Sequence, residues 1–533
     1  AHLGAAERET LKGYNERLSV LQTTFDQRQH NDVNDLAVIV EDIAELDGLS
    51  DTQIATAAAA ASARGLEGKW VIPMVNFTGH PLLSSLTNRG LRERIMTNSL
   101  AKGGRANEFD VRDVVLEFVE LRAKRAELFG FKSHAEYIIS NQTAGTPENV
   151  HGMLRRIAPA AIRNARLEAA DIQKAIDAEG GKFELRSWDW DLYTERVRLE
   201  KYNVDTAKFK PYFELERVLN DGVFFAATKL FGITFTPRPD LTAYHEDARV
   251  FEVHNEDGSE LALFIFDAYA RESKRGGAWM NNLVDQSFLM GQKPVVVNNL
   301  NVPKPPAGEP TLLTFDETNT LFHEFGHALH GMLSNVTYPR FSGTSTPRDF
   351  VEFPSQVNEM WMLWPEVVEN YAKHHVTGEA LPQEWIDNLK ATETFNQGHA
   401  TTSYLAAAIL DLAWHELPSS AGVSDVFEFE AKAIADYGLD FDPVPTRYRT
   451  TYFSHIFAGG YSSGYYGYIW SEVLDAETVD WFKDNGGLKR ANGDHFRATL
   501  LSRGGSKDAM ELFRDFRGQD ASIEPLLKRR GLN

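Results

Sequence analysis

The chain has 533 residues, 43% of them hydrophobic and 25% charged, which describes a globular protein with room for a sizeable core and excludes a disordered one. Its 55 basic and 76 acidic residues leave a formal net charge of −21, a field that repels nucleic-acid phosphates and anionic membranes and argues against both as partners. There is no cysteine, so disulfides and thiolate ligands are excluded and any metal must be held by His, Asp or Glu.

The opening stretch, AHLGAAERETLKGYNERL, has no apolar run of the kind a secretory signal needs, and no run of about 18 uncharged apolar residues follows it. Together with the absence of cysteine this suits a cytoplasmic protein. From Glu7 to Thr52, Leu18, Leu21, Leu36, Val38 and Ile43 recur at helical spacing and predict amphipathic helix. The alanine run Ala57–Ala61 predicts a packed helix, and the helical pattern continues through Val111–Phe129 and through Pro147–Glu179, with Pro147 suited to a first turn. Residues 1–230 therefore read as a helical N-terminal part.

Residues 231–310 follow a different grammar. Ala262–Ala270 and Lys293–Val302 are short apolar or β-branched runs bounded by Gly and Pro, as strands are. VFEVHNEDGSELALFIF predicts a hairpin turning at Asp257-Gly258, and KPPAGEP (Lys304–Pro310) predicts a loop. Residues 311–533 return to helix. The expected fold class is mainly α, with a small strand-rich insertion beside the segment that carries the chemistry.

That segment is LFHEFGHALHG (Leu321–Gly331). On a helix, His323 and His327 lie on one face and can turn ring nitrogens to one cation, while Glu324 stands beside it, placed to take a proton from an attacking water. The five-residue pattern is a weak signal by itself. It gains weight from the apolar frame of Leu321, Phe322, Phe325 and Leu329, which predicts burial, because a buried Glu beside two His is costly unless a cation compensates. A catalytic zinc site also needs a third ligand and an open position. Glu352, in DFVEFPSQ and 25 positions after His327, supplies that ligand from the next helical stretch. His330 points one turn further along and reads as a satisfied or ligand-supporting histidine. Asp349 and Glu359 are placed either to hydrogen-bond the ligands or to serve as ordinary helix charges.

SHIFAGGYSSGYYGYIW (Ser454–Trp470) is the second unusual stretch. It is either a glycine-permitted loop bringing the donors His455, Tyr461, Tyr465 and Tyr468 to a reacting carbonyl, or an aromatic core stripe at helical spacing. Just before it, Arg447 and Arg449 are candidates to bind a substrate carboxylate, with surface arginines as the plain alternative.

FHEFGHALHG, SGTSTPRDFVEFPSQ (Ser342–Gln356) and SHIFAGGYSSGYYGYIWSEV together resemble the thimet oligopeptidase family of zinc metallopeptidases. TPRDFVEFPSQ, KRGGAWM (Lys274–Met280) and the ending LLKRRGL are similar to its bacterial peptidyl-dipeptidase branch. The resemblance implies a prolate helical body split by a deep channel, with a small sheet near a gluzincin-type zinc site. It implies one zinc ion held by His323, His327 and Glu352, and Glu324 as general base. His455, Tyr461, Tyr465 and Tyr468 fall on positions that contact substrate and stabilise the transition state. The implied partners are oligopeptides, and the implied activity is release of C-terminal dipeptides; the alternatives are an endopeptidase of the same family or a catalytically silent peptide binder. Relatives also carry a further N-terminal helical segment, which is expected to be cleaved, supplied separately or absent here.

Overall fold

The computed structural model describes every residue except 1–2, 203, 205, 272–273, 275–276 and 306–307. Arg275 and Gly276 of KRGGAWM, Pro306 and Ala307 of the KPPAGEP loop and the first two residues of the opening stretch lie outside the described residues. With 56% of the chain helical and one small mixed sheet, the fold is mainly α. Among the described residues no helix is long and apolar enough to cross a membrane.

The first helix, Ala5–Asp35, buries Leu18, Leu21 and Phe25 at spacings of three and four. Beyond it the helical expectation fails. Val38–Val40 (β1) pairs antiparallel with Trp70–Ile72 (β2), Val38 standing opposite Ile72, and Ile43 lies in a 3-10 turn, Ile43–Leu46, capped by Asp42. Three β-branched residues in a row with inward and outward alternation suit a pleated edge better than a helix, and the two-residue step from Leu36 to Val38 fits the strand period. The alanine run lies in the helix Asp51–Ser62, opened by a reciprocal pair of hydrogen bonds between Ser50 and Gln53. The next expected helices run over Arg112–Leu128 and Pro147–Ala178, with Thr146 capping the latter.

The chain folds into two compact units that interleave along the sequence. The first comprises Ala1–Asn203, Thr392–Tyr466 and Arg530–Asn533. Apart from the β1–β2 ribbon it is helical, and its helix Gln397–His415 packs along Pro147–Ala178.

The second comprises Val204–Ala391 and Gly467–Arg529, and it holds the sheet. Strands β3 (Thr234–Pro237), β4 (Arg249–His254), β5 (Glu260–Tyr269), β6 (Trp279–Val284) and β7 (Val295–Val302) are arranged in the order β3-β4-β5-β7-β6. β5 and β7 run parallel and every other pair antiparallel, with the β4–β5 hairpin turning through Gly258 at φ +80. Period-2 alternation sorts the side chains. Phe264, Phe266 and Val296 enter the main core, while Val250, Ile265 and Val297 form a small cluster on the other face. The helix Phe315–Met332 packs on β5, β6 and β7. Its Phe325 is enclosed by aromatic rings, 5.4 Å from Phe264 edge-to-face, 5.7 Å from Phe224 and 5.8 Å from Phe235.

Because Phe325 joins this helix to the sheet, Phe325→Ala is expected to destabilise the second unit by about 3–5 kcal/mol. The measurement is a lowered urea midpoint followed by tryptophan fluorescence.

Candidate metal centre

The HEFGH helix begins at Thr314, whose hydroxyl accepts from the Glu317 amide at 3.1 Å while the Glu317 carboxylate accepts from the Thr314 amide at 2.8 Å. Two turns on, the helix is two-faced. Leu321, Phe322, Phe325 and Leu329 are buried in the core, and His323 and His327 stand on the remaining face, ring centroids 5.0 Å apart and nearly perpendicular.

Glu352 sits at the joint between two short helices, Arg348–Val351 and Phe353–Glu359. The second of these lies directly against the HEFGH helix at Gly326, where a Cβ would fall 2.6 Å from Ser355 Cα and 2.8 Å from Asn358 Cβ. Asn358 locks the contact by donating from Nδ2 to the Phe322 carbonyl at 2.7 Å. The same packing delivers Glu352. Its Oε2 lies 3.3 Å from His323 Nε2 and 3.2 Å from His327 Nε2. Donors on arms of about 2.0–2.2 Å around a tetrahedral centre stand about 3.3–3.6 Å apart, so these three nitrogen and oxygen atoms fit a zinc ion. Among the described residues they form the one group of three His, Asp or Glu side chains close enough to share a cation.

Glu359 orients His323. Its Oε1 lies 2.7 Å from His323 Nδ1 and its Oε2 accepts from Asn319 Nδ2 at 3.0 Å. This puts the imidazole proton on Nδ1 and presents Nε2 as the donor. Asp349 is buried, and its carbonyl accepts from Ser471 Oγ at 2.8 Å. His330 is fully buried outside the donor group, and burial, followed by the charge of His327, pushes its pKa down to about 3, so it is a neutral core histidine.

The electrostatics ask for positive charge where the donors converge. Burial alone would lower His323, yet its hydrogen bonds to Glu352 and Glu359 and their charges raise it to about 10. Glu352, which burial would raise, is held below the ordinary carboxylate range by the two imidazoles. Protons can meet this demand, and so can one divalent cation. Glu324 is 6% exposed, and its Oε2 is buried with no hydrogen-bond partner among the described residues. Burial raises its pKa, the two histidines oppose that rise and Glu352 adds to it. Asn298, from β7, donates to the Glu324 carbonyl at 2.8 Å and so ties this turn of helix to the sheet.

The four aromatic candidates divide between the units. Tyr468 belongs to the second, in the helix Gly467–Asp484, and its carbonyl accepts from Gln356 Nε2 at 3.5 Å, against the helix that follows Glu352. His455, Tyr461 and Tyr465 belong to the first, on a short helical turn (Ser454–Phe457) and the loop after it. The His455 ring is 6.0 Å from Tyr461 and 5.5 Å from Tyr465. Burial, then the charge of Arg447, lowers the His455 pKa. Arg449 pairs with Glu430 at 2.6 Å and donates to the Leu100 carbonyl at 3.0 Å, so it braces the loop from inside. Arg447 stacks over Phe77 and Tyr448 with no carboxylate partner among the described residues.

Asn298 and Asn358 escaped the sequence reading. Their one signal was polarity inside apolar context, an asparagine pair in the β-run VVVNNLNV and one asparagine in a helix of buried residues. Glu359→Gln is expected to weaken metal binding about 10–100-fold, measured by competition with a chromogenic chelator.

The profile of Peptidase family M3 matches residues 82–532. The chain is 44% identical over 533 residues to the dipeptidyl carboxypeptidase of Escherichia coli (strain K12), covering 100% of this chain and 78% of that one. It is 34% identical over 506 residues to oligopeptidase A of the same strain, covering 93% and 73%. It is 32% identical over 547 residues to the organellar oligopeptidase A of Arabidopsis thaliana, covering 99% and 69%. A profile match over most of the chain, and full-length similarity to a relative of which it spans more than three quarters, show that the chain belongs to peptidase family M3.

Proposed function

We propose that this chain is a zinc metallopeptidase that hydrolyses oligopeptides and releases dipeptides from their C-terminal ends. M3 metallopeptidases are generally zinc-dependent, and His323, His327 and Glu352 would hold one zinc ion per chain. The observation that carries the reading is Glu324, a buried carboxylate with an unpartnered Oε2 beside a complete three-donor group. The dipeptide-releasing mode rests on the similarity to dipeptidyl carboxypeptidase, and a cytoplasmic setting fits the cysteine-free composition.

When bound, zinc supplies a Lewis acid that polarises the attacking water and the scissile carbonyl. Glu324 accepts the water proton at Oε2 and returns it to the leaving amine; its upward-shifted pKa suits both halves of that cycle. A tyrosine hydroxyl, Tyr465 or Tyr468, donates to the carbonyl oxygen as it gains negative charge, a contribution of roughly 3–4 kcal/mol for one such donor. His455 and Tyr461 hold the substrate by hydrogen bonds and ring contact. β6 is one of the two edge strands of the sheet, the one that packs with the HEFGH helix, and offers its outer edge to an extended peptide. Arg447, free of a carboxylate partner among the described residues, is the candidate to recognise the substrate's terminal carboxylate.

Glu324→Gln is expected to retain zinc, by metal analysis, and to lose nearly all hydrolysis; near-normal turnover would overturn its assignment as the base. The release mode is tested by mass spectrometry of products from one peptide in free-acid and C-terminally amidated forms. Dipeptides should appear from the free acid alone, and Arg447→Gln should erase that preference. Equal cleavage of both forms would instead favour an endopeptidase.

A further inference from the structure

Asp411 lies in the helix Gln397–His415 of the first unit, outside every motif described above, and its carboxylate is fully buried. Three consecutive backbone amides of the Gly/Tyr loop converge on it. Ser463 donates to Oδ1 at 2.8 Å, and Gly464 and Tyr465 donate to Oδ2 at 2.9 Å each. Successive amides gathered in this way form a nest that needs an anion. The backbone adopts an unfavourable shape to make it, because Ser463, a buried non-glycine residue, has φ +55, in the left-handed region.

A lone buried carboxylate would be too costly to keep. Its counter-charge arrives through an imidazole. His415 Nδ1 lies 2.8 Å from Asp411 Oδ1, and Arg122 Nη1 lies 2.8 Å from His415 Nε2. Arginine can only donate, so Nε2 is the lone-pair nitrogen and Nδ1 carries the proton. Burial favours that neutral imidazole, and Arg122 and His415 are themselves 7% and 1% exposed. Two further contacts finish the grip: Ser462 Oγ lies 3.0 Å from His134 Nε2, and Tyr404 donates its hydroxyl to the Tyr465 carbonyl at 2.6 Å. The backbone of Tyr465 is thus held at both its N–H and its C=O.

We propose that Asp411, balanced by Arg122 through His415, is a positioning residue for peptide hydrolysis, fixing the Ser463–Tyr465 backbone and with it the side chains of Tyr461 and Tyr465. This rests on the reading that these tyrosines serve the reaction. Asp411→Asn turns an acceptor facing three amide donors into a group that presents its own N–H.

The test is steady-state hydrolysis of a free-acid oligopeptide by the zinc-loaded full chain. Asp411→Asn is expected to lower kcat by about 10²-fold, the scale of a misplaced catalytic contact, with KM and zinc content nearly unchanged. Adding Ser463→Gly should restore part of kcat, because glycine holds a positive φ without the carboxylate. Combining Asp411→Asn with Tyr465→Phe should cost less than the product of the two single losses, since both act through one hydroxyl. Normal kcat in Asp411→Asn beside a loss in Tyr465→Phe would overturn the inference alone. No loss in Tyr465→Phe or in Tyr461→Phe would overturn the role of the tyrosines as well. Should Asp411→Asn fail to fold, His415→Gln keeps the carboxylate while cutting its link to Arg122. It is expected to lower kcat at constant KM, and an unchanged kcat there would equally overturn the inference.

Discussion

The candidate metal centre depends on the distance between two helices, and that distance is set by the side chain Gly326 lacks. A Cβ at this position would meet Ser355 Cα at 2.6 Å, and a backbone atom cannot swing aside as the tip of a flexible side chain can. Ser355 is tied in turn to Glu352, whose carbonyl accepts its hydroxyl at 2.7 Å. Separation of the helices would therefore move the Glu352 carboxylate away from His327 in nearly equal measure. The far side of the HEFGH helix is held as closely. Gly331 faces the side chains of Met280 and Asn282 of β6 and Val296 of β7, so a Cβ there would have to push side-chain ends aside, and Phe325 is clamped among aromatic rings. The HEFGH helix is gripped between a sheet and a second helix, and two imidazoles and one carboxylate converge from helical segments.

Charge explains why such packing is tolerated around ionisable groups. Glu324, Glu352 and Glu359 place three carboxylates around two imidazoles, Glu324 buried and the others partly exposed. If both imidazoles are neutral, as ligation requires, the local sum is −3, and one divalent cation reduces it to −1. The raised His323 and depressed Glu352 report the same demand in the language of protons. A structural ion pair would be balanced within itself. This cluster carries a surplus of negative charge that bound protons or one divalent cation can offset, as a candidate cation site does.

How much of this the sequence disclosed follows from the range of each interaction. His323, Glu324 and His327 were legible because helical periodicity alone puts i and i+4 on one face. Glu352 was legible because a zinc site needs a third donor and an acidic residue stood on the next helical stretch. The hairpin at Asp257-Gly258 was legible from its turn residues. The β1–β2 ribbon was not, since pairing Val38 with Ile72 spans more than thirty residues and no local signal reports it. The roles of Gly326, Asn298 and Asn358 were hidden for the same reason: each is defined by a partner distant in the chain. The Gly/Tyr segment was ambiguous between loop and helical stripe, and the backbone decides it, since Tyr461 and Tyr465 lie in a loop and the helix starts only at Gly467. The interleaving of the units was equally invisible, because residues 392–466 join the first unit through helix packing and no composition boundary marks the crossing.

The two units solve one problem by different means. In the second, the imidazole of His323 is aimed by a carboxylate, Glu359, that faces its Nδ1 at 2.7 Å. In the first, aromatic residues stand on a loop whose rings pack against their neighbours, Tyr465 4.9 Å from Phe453 and 5.3 Å from Tyr404, which leaves the backbone itself to be held. The carboxylate therefore acts on the backbone, Asp411 gathering three amides and holding Ser463 in a conformation that a serine does not choose. A loop with a left-handed serine at its centre gains no rigidity there from backbone propensity. It gains it from a buried anion, and the anion is stable there because an imidazole carries it to Arg122. This also explains why an aspartate and a histidine interrupt an otherwise apolar helix, AAAILDLAWH, at a spacing of four. The interruption looks like a flaw in a core helix until the loop that rests on it is taken into account.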